Sequence, residues 1–161
     1  MIFKHMDRIV FAGDSVTDME SAQPVGEGLF ENVGKSYVRI VENMLAAFYP
    51  EVYLRVTNSG IGGNTSRDLV QRFDRDVVSL KPDWVSICIG INDVWRQFDS
   101  PAIPDEQVSP EEYRSMQADI SQCMVFTFAR GTDDGDTAFA FRQQEVDGFS
   151  LVVGLLVADT V

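Results

Sequence analysis

The stretch Arg8-Ile9-Val10-Phe11-Ala12-Gly13-Asp14-Ser15-Val16-Thr17-Asp18 decides the fold. Arg8–Ala12 is a short apolar run that reads as a buried strand. Gly13-Asp14-Ser15 then turns the chain toward a helix, which puts a serine at a strand's carboxyl end. In open α/β sheets, ligands and reactive groups collect at those ends.

Working outward, strands and helices alternate. Residues 36–48 carry Tyr37, Val38, Ile40, Val41, Met44, Leu45 and Phe48 at helical spacing, and Pro50 stops the run. Val52–Val56 reads as a second strand ending at Asn58-Ser59-Gly60. Residues 65–80 read as a second helix, with Leu69, Phe73, Val77 and Leu80 on one face. Lys81-Pro82-Asp83 is a turn, and residues 84–91 are a third strand. Ser109-Pro110-Glu111-Glu112 is a helix start, with a serine cap, proline at the first position and acids in the first turn. That helix is expected to reach about Gln122. Such alternation implies right-handed crossovers and a parallel sheet covered on both faces. The three strand ends, at Gly13, Gly60 and Gly90, then lie on one edge and bring three polar turns to one crevice.

The pattern changes near Cys123. From Met124 to Val161 there is no Lys, His, Pro or Trp. Val125–Ala129 is expected as a fourth strand, Gly131–Asp136 as a loop, and Phe149–Val157 as one more strand. The chain therefore reads as a single domain over 1–161, with a well-patterned unit at 8–122 and an atypical tail at 123–161.

At 161 residues one core buries roughly two-thirds of the unfolded surface. Thirteen basic and 25 acidic residues give a net charge of −12. That repels phosphate backbones and anionic membranes, so nucleic acid and membrane are excluded as expected partners. Two cysteines, Cys88 and Cys123, form no disulfide framework, and Cys88 reads as a small core residue. One histidine and two distant cysteines offer no metal cluster. The first residues do not read as a secretory signal, and the longest apolar run, residues 149–158, reads as too short for a bilayer. The expected compartment is cytoplasmic.

Two glycine motifs are decoys. Gly34-Lys35-Ser36 resembles the end of a phosphate-binding loop, but the glycine required five residues earlier is Leu29. Gly60-Ile61-Gly62-Gly63-Asn64-Thr65 resembles a dinucleotide turn, but Thr65 occupies the third glycine position.

What remains is Gly13-Asp14-Ser15, then Gly62-Gly63-Asn64, then Gly90-Ile91-Asn92-Asp93, each at a strand end. For any one block a structural reading suffices: Ser15 as a helix cap, the glycines as a turn, Asn92-Asp93 as a polar loop. Together and in order, they resemble the SGNH, or GDSL-type, hydrolases over residues 8–122. Gly90–Gln97 and Lys81-Pro82-Asp83-Trp84-Val85-Ser86 are most similar to the cytoplasmic carbohydrate acetylesterases that deacetylate xylo-oligosaccharides. The resemblance implies a three-layer α/β/α fold with a mainly parallel, flavodoxin-like sheet, incomplete or atypical at its C-terminal part.

Ester hydrolysis through an acyl-enzyme asks for the same residue types. Ser15 supplies the hydroxyl nucleophile. The Ser15 N–H, the Gly63 N–H and the Asn92 amide supply donors for the developing oxyanion. Asp14 and Asp93 brace their neighbours, and Trp95 offers an aromatic face to a sugar ring or packs structurally. No cofactor or metal is needed. The expected substrate is a small ester, an acetylated oligosaccharide, and a homo-oligomer is among the expected states. The family's C-terminal Asp-x-x-His, which supplies base and orienting acid, has no match here, and His5 precedes the first strand. Impaired turnover is therefore expected. The alternative is an inactive or truncated binding variant, with a tail that is either natural or frame-shifted near residue 123.

Overall fold

The computed structural model describes residues 3–99, 103, 107–129, 143–146, 149–152 and 154–155. Its elements in chain order are β1 (Arg8–Gly13), α1 (Ser15–Asp18), β2 (Gly26–Glu27), α2 (Tyr37–Phe48), β3 (Arg55–Gly60), α3 (Ser66–Asp76), a 3₁₀ turn (Val78–Leu80), β4 (Trp84–Cys88), α4 (Ile91–Asp99), α5 (Pro110–Ala129), β5 (Gln143–Val146), β6 (Phe149–Val152) and β7 (Gly154–Leu155).

The main sheet runs β2-β3-β1-β4-β7. β1 pairs in parallel with β3 and with β4, with Gly13 opposite both Gly60 and Cys88. The central order is the doubly wound one, so the first strand lies between the second and third parallel strands. The short outer strands, β2 against β3 and β7 against β4, pair antiparallel. β5 and β6 form a separate antiparallel pair.

Alternation along β1 sends side chains to both faces. Val10 and Ala12 join Leu69 and Phe73 of α3, Val85 and Ile87 of β4, and Ile120 of α5 in one core. Ile9 and Phe11 join Val33, Val38, Val56 and Trp84 in the other, under α2. The result is three layers, α/β/α, as the sequence implies.

Several boundaries depart from the sequence reading. The second strand is β3, running through Thr57, Asn58 and Ser59 to Gly60, all three fully buried. Their polar side chains are satisfied internally, so a stretch with the composition of a turn is strand. The third strand ends at Cys88, which is half-buried rather than core. Gly90, at φ +133°, re-aims the chain, and Ile91–Asp99 is a helix where a polar loop was expected. The second helix stops at Asp76, after which the chain tightens into the 3₁₀ turn and leaves through Lys81 at φ +52°. The last helix starts as expected, with the Ser109 hydroxyl accepting the Glu112 N–H at 3.1 Å. It continues to Ala129, so the fourth strand expected at Val125–Ala129 is helix. Extending an existing helix is easy, and the β preference of Val125 and Phe126 does not overcome it. In place of the single strand expected at Phe149–Val157 there are two, β6 paired with β5 and β7 on the edge of the main sheet. The loop at 131–136 and the residues after Leu155 lie outside the described residues.

Candidate active site

Ser15 is the first residue of α1, immediately beyond the carboxyl end of β1, and its side chain is exposed. The cap of this helix is Asp14, whose carboxylate accepts the Val16 N–H at 2.9 Å. Capping is thus done by the neighbour, and the Ser15 hydroxyl has no hydrogen-bond partner among the described residues.

The backbone here allows no bulk. A Cβ on Gly13 would sit 2.3 Å from both the Cys88 carbonyl and Thr17 Oγ1. α1 is also held from behind. Asn58 Nδ2 donates to the carbonyls of Thr17 at 2.7 Å and Val33 at 2.8 Å, while its Oδ1 accepts the Gly60 N–H at 2.8 Å.

The second turn lies against the first. The Ile61 N–H donates to the Gly13 carbonyl at 3.0 Å. The Gly62 N–H donates to Asp18 Oδ2 at 3.0 Å, and a Cβ on Gly62 would be 3.9 Å from the Ser15 Cβ. Gly63 is exposed at φ +81°, and among the described residues the only atom close to a Cβ there would be an Arg96 guanidinium nitrogen at 3.5 Å.

The third turn closes the crevice. Asn92, half-buried near the start of α4, donates from Nδ2 to the Asn64 carbonyl at 2.8 Å. An amide carries two N–H donors, so one remains for another acceptor. Asp93 is 3 % exposed and accepts the backbone N–H of Ser66 at 3.0 Å and its hydroxyl. Trp95 and Arg96 follow on α4. Trp95 is 57 % exposed; Arg96 pairs with Asp99 at 2.8 Å.

Electrostatics are set by burial. Burial pushes the Asp14 carboxyl above its usual range, with the Asp93 charge adding to it and the Val16 N–H opposing. Burial likewise raises Asp93, against the hydrogen bonds from Ser66. It also raises the Cys88 thiol, helped by Asp14, and pushes the Tyr113 phenol up to about 12.

The structure thus gathers Ser15, the Gly62–Gly63 turn and Asn92 at one sheet edge, with Asp14 and Asp93 buried beneath them. It does not bring His5 there. His5 is exposed three residues before β1, stacked edge-on against Tyr53 at 5.5 Å. The length of β1, about 20 Å, separates it from Ser15. Among the described residues no group of three or more His, Cys, Asp or Glu is arranged to hold a metal ion. No helix among them is long and apolar enough to cross a membrane.

One residue that sequence reasoning missed is Arg72. It is 6 % exposed on α3 and reaches Gly13, Ser59 and Asn64 together. Its only sequence signal is a cation on the face shared with Leu69 and Phe73.

A strand-end serine with two glycine-rich or Asn-Asp turns beside it defines a class. The chain belongs to the GDSL-like lipase/acylhydrolase family, whose model matches residues 11–153. Among individual proteins, it is 51% identical over 109 residues to an acetylxylan esterase of Geobacillus stearothermophilus, covering 68% of this chain and 50% of the relative. The chain spans about half the length of that curated relative. A solved structure of an acetylxylan esterase from the same organism, a catalytic mutant with a histidine replaced by alanine, superposes with a TM-score of 0.76 at 45% identity, covering 79% of this chain and 58% of that one. An alpha/beta hydrolase enzyme from the metagenome of Lake Arreo, Spain, gives 0.74 at 44% identity, covering 79% and 59%.

Proposed function

We propose that this chain carries the nucleophile and oxyanion-binding half of a serine ester hydrolase that removes acetyl groups from carbohydrate. Ser15 Oγ attacks the acetyl carbonyl, whose oxygen takes the negative charge. The Ser15 and Gly63 N–H groups and the free Asn92 N–H stabilise that charge. Collapse breaks the carbonyl-carbon–sugar-oxygen bond, and the departing oxygen takes up the proton that Ser15 gives up. Water then cleaves the acetyl–Ser15 ester, restoring the Ser15 hydroxyl and releasing acetic acid. Asp14 caps α1, Asp93 braces α3 against α4, and Trp95 receives the sugar ring. The observation that carries this reading is the exposed Ser15 hydroxyl, unbonded among the described residues, beside the Gly62–Gly63 turn. The similarity to acetylxylan esterases supports the choice of ester.

No cofactor enters this chemistry. The partner is a small acetylated oligosaccharide rather than nucleic acid or membrane, and the compartment is cytoplasmic. Self-association fits the apolar stripe Ile40, Met44 and Phe48, which α2 leaves exposed.

A second reading, a binding variant with little turnover, is favoured by the position of His5. The only histidine of the chain stands at the wrong end of β1. Losing the base of a serine hydrolase costs several orders of magnitude in rate, even where the oxyanion donors survive. The test is hydrolysis of p-nitrophenyl acetate by the chain, by Ser15→Ala and by His5→Ala. Expected is slow hydrolysis that Ser15→Ala abolishes and His5→Ala leaves unchanged. Equal rates for the chain and Ser15→Ala sink the nucleophile assignment. A turnover of about 10 per second sinks the impaired-variant reading.

A further inference from the structure

We propose that Arg72 is a positioning residue that fixes the Gly63–Asn64 turn and, through Asn64, the Asn92 amide; the proposal rests on the esterase reading above. Arg72 Nε donates to Asn64 Oδ1 at 2.7 Å. One terminal nitrogen donates to the Ser59 carbonyl at 2.9 Å and the Ser59 hydroxyl at 3.2 Å. The other donates to the Gly13 carbonyl at 2.9 Å. Gly13 precedes Asp14-Ser15, Ser59 precedes the Gly60–Gly63 turn, and Asn64 closes that turn. One planar group therefore ties the backbone just before the nucleophile to both ends of the turn that carries Gly63.

Pairing with the buried Asp76 explains only part of the burial of this guanidinium. Asp76 lies 3.4 Å away, but Arg75 already holds it with two contacts, at 2.6 and 2.9 Å. Burial depresses the Arg72 pKa, with Asp76 only partly offsetting it. What Arg72 supplies is geometry, because its rigid fork serves several acceptors in fixed directions and an ammonium cannot. The link continues through one residue. The Arg72 contact orients the Asn64 side chain, and the Asn64 carbonyl accepts the Asn92 amide at 2.8 Å. Gly63, whose N–H is the other turn donor, is peptide-bonded to Asn64. Its left-handed backbone would drift without that anchor.

The test uses the full chain with Arg72→Lys and Asn64→Ala. Asn64→Ala removes the half-buried Oδ1 while leaving Arg72 its contacts with Gly13, Ser59 and Asp76. Thermal melts establish that each variant folds. The side-chain amide of Asn92, assigned by its loss in Asn92→Asp, is followed by proton exchange in ¹H–¹⁵N spectra. Weakening one hydrogen bond speeds that exchange by about threefold to tenfold in either variant. Ser15-dependent cleavage of p-nitrophenyl acetate is expected to lose about tenfold or more in kcat, with KM unchanged. If the parent chain shows no Ser15-dependent cleavage, the esterase reading has failed and the Asn92 exchange still decides the positioning. If Arg72→Lys does not fold, Asn64→Ala decides alone. An Asn92 amide that exchanges as in the parent in every variant that folds overturns the proposal.

Discussion

Asp93, the third residue of α4, accepts both the backbone N–H and the hydroxyl of Ser66, the first residue of α3. The two helices that flank the crevice are thereby joined at their N-terminal ends. Ser66 is fully buried, so no water replaces a lost partner. Ser66→Ala leaves the Asp93 carboxylate short of one donor and is expected to cost about 1–3 kcal/mol. Urea or thermal unfolding measures it, and a variant as stable as the parent would show the hydroxyl contact to be incidental.

Asp14 makes stability depend on pH in an unusual direction. A carboxyl whose pKa is higher in the folded chain than in the unfolded one stabilises the fold while protonated. That contribution is complete below the ordinary value of 3.8 and is lost as pH rises through the raised value. Asparagine keeps the helix cap and removes the charge. The melting temperature of Asp14→Asn relative to the parent is therefore expected to climb as pH rises from about 4 toward 7. A difference that stays flat, or shrinks, contradicts this account.

The glycines separate into two kinds. At Gly13 a Cβ collides with backbone and with Thr17 on both sides. Gly13→Ala is expected to cost more than about 4 kcal/mol or to prevent folding. At Gly63 there is open space, and alanine meets only the unfavourable backbone conformation at about 1–2 kcal/mol. Gly63→Ala should therefore fold and still lose Ser15-dependent hydrolysis. Circular dichroism with an ester assay distinguishes the two.

Trp95 is more exposed than buried, so Trp95→Ala is expected to change stability by no more than about 0.5 kcal/mol. Its effect should appear as a raised KM for acetylated xylo-oligosaccharide, with KM for p-nitrophenyl acetate unchanged. A large loss of stability would place the indole in packing instead.

How legible this was varies with the residue. β1 could be read because its apolar side chains serve two faces at once. The ends of β1 and β3 could be read because Gly13 and Gly60 close them, whereas β4 stops at Cys88, two residues before Gly90. The second strand reads as Val52–Val56 while β3 runs on through Thr57, Asn58 and Ser59, since nothing local shows that their polar groups are satisfied by Glu27, by the carbonyls of Thr17 and Val33, and by the Asp76 carbonyl. Arg72 hid for the same reason. Its partners Gly13 and Ser59 lie 59 and 13 residues away. On α2 the spacing was helical as expected, but Ile40, Met44 and Phe48 face outward. Periodicity gives the helix and its apolar arc, and only the sheet decides how much of that arc is covered.

β2 also settles how the sheet meets its surroundings. This edge strand is two residues long, and Glu27 already serves Arg55 at 2.6 Å, Thr57 at 2.8 Å and Arg8 at 3.7 Å. A foreign strand seeking to add to β2 finds only two residues of strand to pair with and a carboxylate locked in place. Templated β-polymerisation is thus blocked on that flank by an acid whose charge is spent inside its own molecule.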